Sequence, residues 1–249
     1  MSLSVKIKSA GYKNKPVLSD LNFTLEKGSF NAVIGRNGSG KSTLISALGG
    51  LLCFDGDIIS DGLSLTAMEK KERAKKLSAM LQSLKTPHIT VKELVSFGRN
   101  PYLALSKVLG ENDELIIKKA IEITSLASLE NSYVDSISGG ELRRAYLAMI
   151  LAQDTDIILL DESTAFMDAS FENDFMKILL DLCRRYEKTI LFVTHNIDLT
   201  VEYADNILLL ENGKQLFFGK TAELLSTDII ENHFGLKRYM SEDKIFFSF

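Results

Sequence analysis

A Gly-x4-Gly-Lys-Ser pattern at residues 35–43 constrains this chain more than any other feature. It follows the apolar run 30–34 and precedes the helix-prone segment 44–48, which is the strand–loop–helix context of a phosphate-binding loop. Glycines in such a loop turn backbone N–H groups inward at a helix N-terminus, where the helix dipole also attracts anions. We expect Lys41 to reach the β- and γ-phosphates of a nucleotide and Ser42 to bind Mg²⁺. The residues predicted to line this loop are Gly35, Asn37, Gly38, Ser39, Gly40, Lys41, Ser42 and Thr43.

Composition narrows the class of protein. The chain has 249 residues, 45% hydrophobic and 25% charged, as expected for one large domain or two small ones. A net charge of −4 argues against nucleic acid as a partner, because such proteins usually carry a basic patch. Cys53 and Cys183 lack the spacing of a zinc site or a disulfide framework, which fits a reducing cytosol. No apolar run is long enough for a membrane span and the first residues are polar, so we expect a partner to provide any membrane function.

Alternating segments predict an antiparallel sheet near the start of the chain. Residues 4–8 and 21–25 alternate apolar and polar side chains, and residues 57–60 predict a further short strand. Tyr12 lies between the first two strands, where it either packs at a strand end or stacks on a nucleotide base. These segments predict a small antiparallel unit beside the phosphate-binding loop.

The middle of the chain changes from strands to helices. A capping box at Thr66–Glu69 predicts a charged helix through Lys76, and the strand 77–81 then ends at Gln82. Beyond it, residues of about 83–155 predict a mostly helical insertion. Its predicted helices begin at the capping box Thr90–Glu93, cover 111–130, and run from Ser138-Gly139-Gly140-Glu141 to about Gln153. By itself, Ser138-Gly139-Gly140-Glu141 is better explained as a helix cap than as a functional loop.

Acidic and imidazole side chains follow two buried strands in the second half. The apolar run 157–160 ends in Asp161 and Glu162, at the strand edge where α/β proteins bind ligands. Next to a phosphate-binding loop, Asp161 suits a direct or indirect Mg²⁺ partner, and Glu162 suits activation of a water. His195 follows the strand 189–193, where it either makes a local hydrogen bond or projects into the same crevice. An Asn212-Gly213 turn predicts a hairpin, and the aromatic tail 235–249 is expected to pack onto the core.

These motifs occur in an order that resembles the ATP-binding subunit of ABC transporters over nearly the whole chain. The resemblance implies an α/β fold in which a parallel-sheet, RecA-like core carries an N-terminal antiparallel subdomain and the inserted helical subdomain. It implies that Tyr12 stacks on adenine, Gln82 approaches Mg²⁺ and the attacking water, Glu162 is the general base, and His195 contacts the γ-phosphate. It also implies a head-to-tail dimer. In that dimer ATP is held by one subunit and covered by the partner's residues Ser138, Gly139 and Gly140, with Asp168 at the seam.

Two departures from the family pattern bear on turnover. Glu141 stands where glutamine is common, and its charge would repel the γ-phosphate if it pointed there. We expect it to cap the Ser138 N–H instead, while the Ser138 hydroxyl accepts from the helix and donates to phosphate. Ser163 replaces the usual proline after the general base, and residues 165–168 read Ala-Phe-Met-Asp. Loss of the proline frees φ beside Glu162, so its positioning is less constrained.

The spacing of the motifs distinguishes between types of ABC ATPase. Lys41 and Ser138 are too close for the coiled-coil arm of chromosome-maintenance ATPases, and one phosphate-binding loop excludes the tandem translation-factor type. Segments 90–102 and 144–149 resemble ATPases of iron–siderophore, haem and vitamin B12 importers. We therefore expect a peripheral subunit on the cytoplasmic face of the cell membrane, with a permease and a periplasmic-type substrate-binding protein.

Four alternatives remain open. One is the ATPase of a metal-ion importer, and another is the cytosolic ATPase of iron–sulfur cluster assembly. The others are a small-molecule kinase and a nucleotide-gated binding module without turnover. Co-purification with a membrane protein, transfer of phosphate to an acceptor other than water, and dimerisation without phosphate release would distinguish them.

Overall fold

The protein is built from two packed sheets and a group of helices. The computed structural model describes residues 2–13, 15–103, 108–161, 169–241 and 244–248. The strands are β1 (Leu3–Tyr12), β2 (Lys15–Leu25), β3 (Phe30–Ile34), β4 (Phe54–Ser60), β5 (Leu63–Ser64), β6 (Leu77–Met80), β7 (Ile157–Asp161), β8 (Thr189–Val193), β9 (Asn206–Glu211), β10 (Lys214–Lys220), β11 (Lys237–Ser241) and β12 (Lys244–Ser248). The α-helices are α1 (Lys41–Leu48), α2 (Lys70–Arg73), α3 (Val91–Ser96), α4 (Glu111–Ile123), α5 (Gly139–Ala152), α6 (Ala169–Tyr186), α7 (Ile197–Tyr203), α8 (Thr221–Leu225) and α9 (Ile229–Phe234).

The central sheet has the strand order β10-β9-β3-β8-β7-β6. Its neighbours pair in parallel except for β10, which is antiparallel to β9. All residues of β3, β7 and β8 are buried, as their continuous apolar sequences predict for strands covered on both faces. The carboxyl ends of the parallel strands therefore meet at one edge, and the segments that follow β3, β6, β7 and β8 begin there.

Alternate residues of the central strands face two different hydrophobic cores. One core joins Val33, Leu159 and Leu191 to α1 and to the antiparallel sheet β2-β1-β4-β5. The other joins Phe30, Leu160 and residues of α6, α8 and α9. Because successive side chains of a strand point to opposite faces, each face of the sheet packs against a different layer. This confirms the predicted α/β core with an N-terminal antiparallel subdomain.

Helices α3, α4 and α5 lie between β6 and β7 in the sequence and share a third hydrophobic core. That core contains residues from Val91 to Ala152, and half-buried Tyr146, Met149 and Leu151 of α5 also pack against the second core. The guanidinium of Arg99 is buried between the carboxylate of Asp113 and the carbonyl of Ala152. The inserted helical part therefore has a core of its own and is attached to the sheet through α5.

Two predicted helices are shorter in the structure. The predicted helix from Thr66 through Lys76 is only α2, because the Thr66 hydroxyl accepts from the Ile58 N–H at 3.0 Å and holds that segment beside β4. Helix α4 ends at Ile123 instead of near residue 130. There Thr124 donates its hydroxyl to the Ala120 carbonyl, and Ser125 adopts a φ of 57°. In both cases a threonine hydroxyl bonds a backbone group at the boundary: Thr66 bonds a distant strand, and Thr124 bonds the last turn of its own helix.

The tail folds back onto the molecule. Strands β11 and β12 form an antiparallel hairpin, and Phe247 is buried in the second core, which confirms packing onto the core.

Among the described helices, none is long and apolar enough to cross a bilayer. Cys53 is exposed, Cys183 is buried, and both are free thiols. Burial raises the pKa of the Cys183 thiol to about 12, so it stays protonated and unreactive.

Candidate functional site

The loop between β3 and α1 is shaped by glycines with positive φ. Gly35 has a φ of 152°, Gly38 of 80° and Gly40 of 103°. A Cβ on Gly35 would lie 2.3 Å from the Leu210 carbonyl oxygen, so only glycine fits at that position. The hydroxyl of Ser39 is buried and has no hydrogen-bond partner in the described part of the chain. A buried hydroxyl needs a partner, and an oxygen of a bound phosphate would supply one.

Helix α1 begins at Lys41, and its first turn contains no acidic residue and no side-chain cap. Its first N–H groups are therefore available to an anion. Lys41 is 6% exposed, and its ammonium donates to the carbonyls of Gly35 at 2.8 Å and Arg36 at 3.0 Å. Burial lowers the pKa of Lys41, and Asp161 partly offsets that effect. Lys41 thus lies folded over the loop, with its charge held where phosphates would bind. Thr43 is buried in the same helix, whereas Asn37 is exposed on the loop.

Ser42 and Asp161 meet at the start of α1. The Ser42 hydroxyl donates to Asp161 Oδ1 at 3.3 Å, and Asp161 is the last residue of β7 and 5% exposed. Burial raises the pKa of Asp161, while Ser42, Lys41 and His195 lower it. Hydroxyl and carboxylate oxygens are hard ligands of the kind that Mg²⁺ prefers. The residues present therefore fit a magnesium site at which phosphate and water would supply the other ligands.

Gln82 and Tyr12 lie at the edges of this region. Gln82 is exposed two residues after the end of β6. Because β6 pairs in parallel with β7 and Met80 stands opposite Leu160, Gln82 and Asp161 leave the sheet at the same edge. Tyr12 ends β1 and is 51% exposed. Its ring is free to stack on a planar ligand and is not packed in a core.

His195 follows β8 on the strand edge shared with Asp161. Partial burial and the Lys41 ammonium lower the pKa of His195, while Asp161 raises it. The net lowering favours the neutral form of the ring. The next residue, Asn196, caps α7 by accepting from the Leu199 N–H at 3.1 Å and donates to Glu172 at 3.3 Å. The His195 loop is thus fixed at the first turn of α7. The hydrogen bond between Asn196 and Glu172 was not predicted from the sequence.

The segment Ser138–Glu141 forms a complete capping box at the start of α5. The Glu141 N–H donates to the Ser138 hydroxyl at 3.3 Å, and the Ser138 N–H donates to Glu141 Oε2 at 2.8 Å. This confirms that Glu141 folds back onto Ser138. The Ser138 hydroxyl donates to the same carboxylate at 2.7 Å, so its proton is not free for phosphate in this conformation, contrary to our expectation. Ser138 and Gly139 are exposed and Gly140 is half-buried.

Two predicted site residues, Glu162 and Asp168, lie outside the described residues. Tyr12 and Gln82 lie at the edges of the region, and the other described site residues fall into two groups. Lys41, Ser42, Asp161 and His195 interact around the phosphate-binding loop, whereas Ser138–Gly140 begins a helix of the inserted part. No sequence motif indicated that the β9–β10 turn supports the loop. There the Gly213 N–H donates to the Ser39 carbonyl at 3.1 Å.

Comparisons with known proteins agree with this geometry. The sequence pattern of the ABC transporter family matches residues 18–165. The chain is 37% identical to the petrobactin import ATP-binding protein YclP of Bacillus subtilis (strain 168) over 94% of its length and 93% of the relative. It is 35% identical to the ferric enterobactin transport ATP-binding protein FepC of Escherichia coli (strain K12), over 94% and 88%. The solved structure of cbiO1 from Clostridium perfringens, part of the ABC transporter complex cbiONQ, superposes with a TM-score of 0.79 at 25% identity over 92% of each chain. The chain therefore belongs to the ATP-binding subunits of ABC transporters, which hydrolyse ATP to power transport.

Proposed function

We propose that this chain powers the import of an iron chelate through a separate permease, at the cytoplasmic face of the cell membrane. The observation that carries the ATPase role is the contact of Ser42 with Asp161 beside the folded-over Lys41. The names of YclP and FepC, which refer to petrobactin and ferric enterobactin, support the cargo class. Under this proposal a periplasmic-type binding protein delivers the chelate to the permease.

The phosphate-binding loop would hold the nucleotide in its own subunit. The N–H groups of α1 and the Ser39 hydroxyl would bind phosphate oxygens, Lys41 would leave its carbonyl partners to reach the γ-phosphate, and Tyr12 would stack on adenine. His195 would donate to the γ-phosphate from the loop that follows β8. Apart from Tyr12, each group would act on negative charge at the phosphate oxygens, which is where catalysis of phosphoryl transfer is gained.

Glu162 would take the proton of the attacking water, with Gln82 holding that water from the end of β6. Magnesium would be held by Ser42, Asp161 and Gln82, and when bound it supplies charge neutralisation at the β- and γ-phosphates. The separation of Ser138–Gly140 from the loop supports a composite site. The α5 N-terminus would cover ATP held by the partner subunit, with Asp168 at the seam of a head-to-tail homodimer.

Glu162→Gln tests the catalytic assignment. We expect the variant to bind ATP, to hydrolyse it at least about a hundredfold more slowly, and to accumulate as an ATP-bound dimer, because loss of a general base typically costs 10²–10⁴ in rate. Phosphate release and light scattering measure the two effects. Glu187→Gln is the matched control, since Glu187 is exposed and pairs with Lys27 on the surface. Unchanged turnover in Glu162→Gln would remove Glu162 from this role.

Isolation from membranes tests the transport assignment. The full-length chain, affinity-purified from detergent-solubilised membranes of its source, should bring with it a permease with many membrane spans. ATP turnover of that complex should rise with ferric siderophore and its binding protein, and not with a free metal ion. Recovery of soluble iron–sulfur assembly proteins without a permease would favour the cytosolic alternative.

A further inference from the structure

The C-terminal segment, residues 229–241 and 244–248, contacts elements that support the phosphate-binding loop and the His195 loop. This segment comprises α9 and the β11–β12 hairpin, and no role in ATP hydrolysis has been assigned to it above. Its residues Phe234 and Leu236 line a cavity of about 330 Å³ whose other walls include Gly35, Asn37 and His195. The segment therefore lies directly behind the phosphate-binding loop and the His195 loop.

The first contact runs through His233. Its ring is buried, with Nδ1 3.0 Å from Glu211 Oε1 and an edge-to-face contact with Phe234. Glu211 ends β9 and leads into the turn in which the Gly213 N–H donates to the Ser39 carbonyl at 3.1 Å. The preceding carbonyl, of Leu210, is the one that leaves no room for a side chain at Gly35. His233 thus holds the turn on which the phosphate-binding loop rests.

The second contact runs through Phe247. Its N–H donates to Asp198 Oδ1 at 2.9 Å, and its ring is buried in the second hydrophobic core. Asp198 lies in the first turn of α7, the helix that is capped by Asn196, the residue after His195. The hairpin is held by Arg238, whose guanidinium forms an ion pair with Glu231 at 2.7 Å and donates to the Thr227 carbonyl at 2.6 Å. The C-terminal segment therefore contacts both the β9–β10 turn, which supports Ser39, and helix α7, which follows His195.

We propose that the C-terminal segment aligns the phosphate-binding loop with His195 for hydrolysis, and that His233 and Asp198 are its positioning residues. Each loop has its own local contacts, so nucleotide binding does not need the segment. In-line attack needs both loops in register, because small misplacement of groups around the reacting atoms is costly in rate. This inference rests on the proposed roles of the loop and of His195.

His233→Phe tests the first contact. Phenylalanine keeps the ring and its packing but removes the donor to Glu211, whose half-exposed carboxylate can then hydrate. We expect kcat per bound nucleotide to fall about three- to tenfold, the effect of one hydrogen bond. The Kd for a fluorescent ATP analogue should stay within about twofold. His233→Asn, which keeps a donor near Nδ1, should recover most of the rate. His88→Phe is the matched control. His88 also pairs with a carboxylate, Asp135 at 2.9 Å, but it lies on the inserted helical part.

Asp198→Ala and Asp198→Asn test the second contact independently, and they decide the question should His233→Phe not fold. Alanine should lower kcat like His233→Phe, whereas asparagine keeps an acceptor for the Phe247 N–H and should retain the rate. The His233→Phe/Asp198→Ala double variant should lose less than the product of the two single losses, because both act through one segment. Unchanged kcat per bound nucleotide, or a raised Kd at unchanged kcat, would overturn the inference. Failure of the wild-type chain itself to hydrolyse ATP would instead overturn the proposed function.

Discussion

At the residue scale, the carboxylate of Glu141 decides what the Ser138 hydroxyl is able to do. It accepts from both the N–H and the hydroxyl of Ser138, and these bonds lower the pKa of Glu141. Glutamine at this position keeps an acceptor oxygen and loses the charge. We expect Glu141→Gln to lower the free energy of unfolding by about 0.5–1 kcal/mol at neutral pH and to change ATP turnover by less than about threefold. Urea unfolding and phosphate release measure the two effects.

The pH dependence of that difference has a definite sign. A carboxylate whose pKa is lowered by folding stabilises the native state above its unfolded-state pKa, and this contribution is lost as the pH falls through the folded-state value. The stability gap between wild type and Glu141→Gln should therefore close below the ordinary glutamate pKa of about 4.3. A gap that is independent of pH would show that the charge does not stabilise the cap. A large gain in turnover would show that Glu141 repels the γ-phosphate.

At the element scale, the first turn of α5 separates a structural role from a functional one. A Cβ on Gly139 would meet no atom within 4 Å, so packing within the subunit does not require glycine there. An acidic residue in the first turn of a helix is favourable, so Gly139→Asp should leave the free energy of unfolding within about 0.5 kcal/mol of wild type.

ATP turnover of Gly139→Asp should nevertheless fall at least about tenfold, because the new charge would face the partner's γ-phosphate. Phosphate release and binding of a fluorescent ATP analogue check this, and the Kd of the isolated subunit should not change. Asn131→Asp is the control, since it adds the same charge at an exposed position before the helix. Normal turnover in Gly139→Asp would mean that α5 does not cover ATP in the partner subunit.

Local signals in the sequence predicted some elements well and others poorly. The capping boxes at Thr90 and Ser138 both start helices, because nothing distant competes for their hydroxyls. Thr66 carries the same signal, yet its hydroxyl bonds the Ile58 N–H of β4. The buried strands β3 and β8 were predicted to the residue, since continuous apolar runs leave little choice. A local sequence pattern does not show which distant backbone group a side chain will hydrogen-bond.

The same limit applies to the site. The contact between Ser42 and Asp161 was predictable, because a phosphate-binding loop and an acid at the end of another parallel strand of the same sheet leave the sheet at one edge. The bond from Gly213 to the Ser39 carbonyl was not predictable. The Asn212-Gly213 pair specifies a tight turn, but its position under the loop follows from the order of strands β9 and β3 in the sheet. Strand order is a property of the whole chain, and no local motif encodes it.

At the scale of the whole molecule, the two halves of the proposed composite site lie on different parts of the fold. The phosphate-binding loop stands on the central sheet, while Ser138 and Gly139 stand on the inserted helices, which have a hydrophobic core of their own. In a two-fold symmetric dimer, every contact occurs twice, with the two subunits exchanging roles. A head-to-tail dimer of this chain would therefore contain two sites, each with one half from either subunit.

That arrangement predicts that two inactive variants restore activity when they are mixed. Lys41→Ala removes the phosphate contact of its own subunit, and Gly139→Asp spoils only the site of its partner. A mixed dimer keeps one intact site, built from the loop of the Gly139→Asp chain and the α5 N-terminus of the Lys41→Ala chain. Random pairing of equal amounts makes half of the dimers mixed, so phosphate release should reach up to about a quarter of the wild-type rate. Each variant mixed with itself is the control. No recovery despite proven mixed dimers would mean that each subunit completes its own site.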